Sequence, residues 1–294
     1  MDKRQLLKIS SGQGFIAALD QSGGSTPKAL KLYGIAESEY NSSEMYDLIH
    51  EMRTRIIKSS AFNSGRILGA ILFKDTMLKE IDNLPTAIYL WEKLQIVPFL
   101  KIDQGLLSSE NQSQLLKPIN DLKTSLELAK KNKVFGTKMR SLINGANNIG
   151  IKDLVDQQFD IGEEILSFGL LPIIEPEVDI TIPDKREAED MLYNNMKRRL
   201  DRIQSSKKVI LKLSLPERDN FYEPLTQHPN ILRIVALSGG FEKKIAVNKL
   251  KQNKKMIASF SRALTEGLKS DSPKQEFEEQ LDQTVQSIYE ASLS

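Results

Sequence analysis

Four ionisable residues stand inside short apolar runs, where charge is expensive: Lys101 in VPFLKID, Lys138 in VFGTKMR, Glu175 in LPIIEPE and Lys212 in VILKLSL. The Lys212 run is the most apolar. Its branched residues, followed at once by Pro216, read as a buried strand rather than a helix. Side chains alternate along a strand, so Val209, Leu211, Leu213 and Leu215 share one face and Ile210, Lys212 and Ser214 the other. A buried ammonium must find counter-charges or lose its proton. A neutral lysine in a dry pocket is a nucleophile, and its natural chemistry is a Schiff base with a carbonyl compound. The simpler alternative is a lysine whose stem crosses the core while its ammonium reaches water. For this strand alone the simpler reading stands first, and the neighbouring strands must decide.

Those strands belong to a regular pattern. Apolar segments recur at 14–20, 67–74, 97–103, 134–140, 171–177, 209–215, 231–238 and 256–262, separated by amphipathic helical stretches such as 43–59, 120–131, 151–168 and 185–203. Strands alternating with helices predict parallel βαβ units, and eight of them in 294 residues predict an α/β fold of the TIM (β/α)8 barrel type. An open doubly wound sheet is the runner-up, but its Gly-rich dinucleotide turn and any Walker loop are absent from the sequence. Residues 1–294 are read as one barrel domain. A helical C-terminal segment over 272–294 follows from the spacing of Phe277, Leu281, Val285 and Ile288.

A barrel places its site at the C-terminal ends of the strands, on the inward face. Strand one sets Ile16, Ala18 and Asp20 on one parity, strand three Phe99, Lys101 and Asp103, and strand five Ile173, Glu175 and Glu177. Strand four aligns Gly136, Lys138 and Arg140, with Phe135 and Met139 on the other face. A charge at one strand end is ordinarily a terminus meeting water, which suffices for Asp75. It does not explain why Lys101, Lys138, Glu175 and Lys212 sit inside their strands on one parity. Converging acids and bases at a barrel mouth tune one another: neighbouring ammonium groups depress each other's affinity for protons, and nearby carboxylates trade them.

Glycines add an anion argument. Ser238, Gly239 and Gly240 follow strand seven, and Arg262 closes strand eight, where barrels often hold phosphate on backbone amides. The loop Gln21–Ser22–Gly23–Gly24–Ser25–Thr26–Pro27 after strand one has similar chemistry. Two such loops flanking a lysine suggest a substrate with a phosphate at each end.

Composition narrows the field. The formal charge of +2 does not indicate nucleic acid binding, and the lysines at 243, 244, 249, 251, 254 and 255 read as a solvated helix face. The absence of cysteine excludes disulfides and thiol chemistry, and two distant histidines, His50 and His228, argue against a zinc site or a histidine triad. There is no signal-peptide pattern and no run of membrane-spanning length, so a cytoplasmic protein without membrane association is the expectation.

Taken together and in order, ALDQSGGSTPKAL, FLKIDQG, GTKMRS, LPIIEPEV, ILKLSLPE, ALSGG and SFSRAL resemble class I fructose-bisphosphate aldolase. The resemblance implies reversible cleavage of fructose 1,6-bisphosphate to dihydroxyacetone phosphate and glyceraldehyde 3-phosphate in glycolysis and gluconeogenesis, without metal or cofactor. It implies that Lys212 forms the Schiff base, Glu175 is the acid/base, and Lys138 lies beside the reacting carbons. Asp20 would orient the nucleophile, with Glu177 in support. Ser238, Gly239 and Arg262 would hold the phosphate of the dihydroxyacetone half, Arg140 would contact a phosphate, and Ser22, Ser25, Lys28 and Lys101 would handle the opposite end. The resemblance leaves a homo-oligomer open. Tagatose 1,6-bisphosphate, a non-catalytic phosphosugar sensor and a metal-dependent aldolase are the rivals. Two departures stand out: Ala29 follows Lys28 where a basic residue is usual in the family, and the last tyrosine, Tyr289, lies within a helix instead of ending a mobile tail.

Overall fold

The structure is a computed structural model describing residues 2–204 and 206–294. Eight strands run parallel in sequence order: β1 Phe15–Leu19, β2 Ile67–Leu72, β3 Val97–Lys101, β4 Gly136–Ile143, β5 Leu171–Val178, β6 Val209–Ser214, β7 Ile231–Leu237 and β8 Met256–Ala258. Consecutive parallel neighbours need helical crossovers, and these coat the sheet to give a (β/α)8 barrel. The main ones are α2 Thr26–Tyr33, α3 Glu44–Ile57, α5 Thr86–Glu92, α6 Leu122–Lys131, α7 Asn148–Ser167, α8 Lys185–Leu200 and α9 Lys243–Lys251. The expected helices are present, with ends within a few residues. Among the described residues no helix is long and apolar enough to cross a membrane.

The barrel interior and the shell between strands and helices form separate cores. Ile16, Ala18, Ile71, Phe99, Ile173, Ile210, Val235 and Ile257 fill the inside. Alternate residues such as Ala17, Leu72, Met139, Ile174 and Leu211 pack outward under the helices. Phe135 departs from its expected face: it lies in the inner core, its ring edge-on to Phe99 at 5.7 Å. The reason is that β4 begins only at Gly136, so Phe135 is free of the strand's alternation. A side chain at Gly136 would meet the Phe99 ring at 3.0 Å, so glycine there makes room for the aromatic pair.

Helix α1 (Lys3–Ser11), which the apolar segments did not reveal, closes the barrel's N-terminal end. Asp2 caps it by accepting from the backbone N–H groups of Arg4 and Gln5. Ile9 enters the inner core and Leu6 packs against it.

Closure between β8 and β1 is sparse. Ala18 N donates to Phe260 O at 3.3 Å, while Ala258 N donates to the Ser292 hydroxyl at 3.0 Å. Strand β8 is shorter than expected. It ends at Ala258, and Arg262 instead opens the short helix α10 (Arg262–Thr265). Strand β2 likewise stops at Leu72, and Asp75 lies in α4 (Lys74–Leu78), 3.3 Å from Lys79. Helix α11 (Lys274–Ala291) buries Phe277, Leu281, Val285 and Ile288 as its spacing predicts.

Candidate active site

Strand register brings the central charges together. Ile173 faces Ile210 and Ile174 faces Leu211, so continuing the same register sets Glu175 beside Lys212. Lys101 and Lys138 are register partners across β3 and β4. Because all four side chains occupy inward positions above the apolar layers, they meet at the barrel mouth.

Glu175 bridges the two lysines. Its Oε1 lies 3.1 Å from Lys212 Nζ and its Oε2 2.9 Å from Lys138 Nζ, and Lys138 Nζ is 2.6 Å from Asp20 Oδ2. All four groups are buried. Lys212 thus takes the first of its two options and finds a counter-charge. Burial opposes the charge on Asp20, but Lys138, Lys212 and Lys101 outweigh it and hold the carboxyl far below its usual range. Burial likewise opposes the charge on Lys138, yet Asp20, Glu175 and Asp103 push its affinity for the proton up. That reverses the depression expected from crowded ammonium groups, because three carboxylates surround this lysine. Asp20 and Lys138 are therefore permanently charged near neutral pH.

Neighbouring pairs hold these groups in place. Lys101 Nζ donates to Asp103 Oδ1 at 2.5 Å, and Asp103 Oδ2 accepts from Arg140 N at 3.2 Å. Arg140 Nε bonds Glu177, whose charge raises the arginine's proton affinity against the effect of burial. Gln158 on α7 accepts from Glu175 N at 2.9 Å. Ser214 Oγ accepts from Val178 N at 3.0 Å and donates to Val178 O at 2.7 Å, pinning β6 to β5 just above Lys212.

The loops complete a cavity of about 550 Å³, lined by every catalytic and substrate-binding residue that the resemblance implied. Six cationic side chains and four carboxylates line it, so its charge favours an anion. After β7, Gly239 and Gly240 have φ of 58° and 115°, and Arg262 Nη2 donates to Gly240 O. A side chain at Gly239 would strike Ile180 at 2.8 Å, so glycine is required for both reasons. After β1, Ser25 Oγ accepts from Ser22 N at 3.0 Å and donates to Ser22 O, shaping the turn before α2. Nothing lies within 4 Å of where a side chain would project from Gly23 or Gly24, so that turn is open. Ala29 and Leu32 give this end an apolar wall. Tyr289 packs on the outer shell and is not among the lining residues.

Sequence reasoning missed several contributors. Ser259 lines the cavity with its hydroxyl buried and unpartnered among the described residues. The inward parity of Ile257 was the available signal. Arg53, fully buried on α3 and bonded to Gln21 O, was also missed. Its signal was a charge at the helical spacing of Ile49, Ile56 and Ile57.

A (β/α)8 barrel whose mouth sets a buried carboxylate between two lysines defines the architecture of a lysine-dependent carbon–carbon lyase. The chain is 54% identical over 295 residues to the class 1 fructose-bisphosphate aldolase of Clostridium acetobutylicum, covering 100% of both. It belongs to the class 1 fructose-bisphosphate aldolase family. A solved fructose-bisphosphate aldolase from Plasmodium falciparum, in complex with TRAP and a small-molecule inhibitor, shares the fold: TM-score 0.73 at 17% identity, over 98% of this chain and 93% of that one. No family model matches the chain.

Proposed function

We propose that the chain cleaves fructose 1,6-bisphosphate reversibly to dihydroxyacetone phosphate and glyceraldehyde 3-phosphate through an imine on Lys212. The observation that carries this reading is the Glu175 carboxylate, 3.1 Å from Lys212 and 2.9 Å from Lys138. Glu175 takes the proton that Lys212 must shed before its amine attacks the substrate's C2 carbonyl. It then returns a proton to the carbinolamine hydroxyl, which leaves as water and yields the iminium. Once again a carboxylate, Glu175 accepts the proton of the C4 hydroxyl as the C3–C4 bond breaks. The electron pair of that bond flows into the iminium to give an enamine, and glyceraldehyde 3-phosphate departs. Protonation of the enamine at C3 by Glu175 and hydrolysis of the imine release dihydroxyacetone phosphate.

The fixed charges serve this cycle electrostatically. Lys138 stays an ammonium and stabilises developing negative charge on the hydroxyl oxygens, while Asp20 holds Lys138 in place and attracts the iminium. Glu177 steadies Arg140, which contacts a phosphate. Ser238, Gly239 and Arg262 take the phosphate on C1; Ser22, Ser25, Lys28 and Lys101 take the one on C6.

The test is borohydride reduction with dihydroxyacetone phosphate present, followed by intact mass and peptide mapping. A stable adduct on Lys212 is the expected result. A folded protein that binds the ligand and gains no mass would overturn the assignment.

A further inference from the structure

Arg53 is a fully buried guanidinium whose hydrogen bonds go only to neutral groups among the described residues. Burial pushes its proton affinity down to about 10, and the charges of Asp20 and Asp75 offset this only in part. Its Nε is buried without a partner among the described residues. An arginine placed at such cost calls for a use beyond packing.

Its partners indicate that use. Nη1 donates to Thr76 Oγ1, while Nη2 donates to Gln21 O at 2.5 Å and to Gln21 Oε1 at 3.2 Å. With its oxygen turned to Arg53, the Gln21 amide must present its N–H₂ to the other side. There Nε2 donates to Ser261 Oγ at 2.8 Å. Gln21 adjoins Asp20 and Ser22; Ser261 adjoins Arg262. The contact crosses the β1–β8 seam just above the Ala18–Phe260 hydrogen bond, where backbone pairing runs out.

We propose that Arg53 and Gln21 are positioning residues: they clasp the loop after β1 to the loop after β8 and so fix the distance between the two anion-binding ends of the cavity. The proposal rests on the reading of those loops as two phosphate sites. A ligand with two phosphates gains from sites held at one separation, because its second contact is then made at high effective concentration. A ligand with one phosphate has no such gain to lose.

Calorimetry on hexitol 1,6-bisphosphate and hexitol 1-phosphate tests this. Neither has a carbonyl, so Lys212 chemistry does not enter. In Gln21→Ala the preference for the bisphosphate is expected to fall about tenfold, with affinity for the monophosphate within about twofold of wild type. Ser261→Ala should act in the same direction, and the double variant should lose no more than Gln21→Ala, since both remove one contact. Gln21→Glu keeps an acceptor for Arg53 and can accept from the Ser261 hydroxyl, so it should restore the preference. Equal weakening of both ligands, an unchanged preference in Gln21→Ala, or a wild-type chain that does not prefer the bisphosphate would overturn the proposal. The Lys212 assignment would still stand or fall on its own mass measurement.

Discussion

Replacing Lys138 by methionine tests the electrostatic core directly. In the native site this ammonium lies 2.6 Å from Asp20 and 2.9 Å from Glu175, all three buried. Methionine fills the space and leaves two buried carboxylates with less compensation. Breaking such a pair costs about 3–5 kcal/mol, and because Lys212 and Lys101 remain nearby we expect the lower end, about 3 kcal/mol at pH 8. For a chain of this length that corresponds to a fall in Tm of about 5 °C.

The pH dependence has a definite sign. In the native protein Asp20 titrates below its unfolded value, so its contribution is present above about pH 4 and is lost only as pH falls through the lowered value. Lys138 titrates above its unfolded value, so its contribution is complete below about pH 10 and is lost as pH rises through the raised value. The contribution of this pair is therefore flat between those limits. Without Lys138, burial dominates and a carboxyl takes up a proton more readily, so the variant's deficit should shrink as pH falls from 8 to 5. Thermal unfolding of both proteins at the two pH values measures it. A deficit of equal size at both, or none at pH 8, would refute the reasoning.

Three further variants probe other parts of the site. Lys212→Met should abolish both turnover and the borohydride adduct while the protein stays folded, with a smaller fall in Tm than Lys138→Met because Lys212 pairs with Glu175 alone and Glu175 keeps its contact with Lys138; residual adduct on another lysine would reassign the nucleophile. Glu175→Gln should cut turnover by about 10²–10⁴-fold, read in a single-turnover assay, and near-native rates would show that another group moves the protons. Gly136→Ala should destabilise by about 3 kcal/mol or more, since its Cβ would lie 2.1 Å from Leu171 O and 3.0 Å from the Phe99 ring. An unchanged denaturation midpoint would mean that β4 and Phe99 shift freely.

The βαβ alternation, the barrel and the inward charges were legible in the sequence because both periodicities are local. A strand of period two assigns Lys101, Lys138, Glu175 and Lys212 to a common face without knowledge of its neighbours. Local alternation fails where a residue lies outside the strand proper, as Phe135 does, or where a strand stops early, as β8 does before Arg262.

Tertiary structure alone decided which charge meets which. Register across β5 and β6 placed Glu175 against Lys212, and three carboxylates around Lys138 reversed the shift expected from crowded lysines. The same holds for Arg53, which reaches Gln21 from a helix, and for the Gln21 bridge to Ser261 across the seam, 240 residues apart in the chain. Parity belongs to each strand by itself, whereas pair distances depend on how strands and helices are set against one another, and no local spacing encodes that.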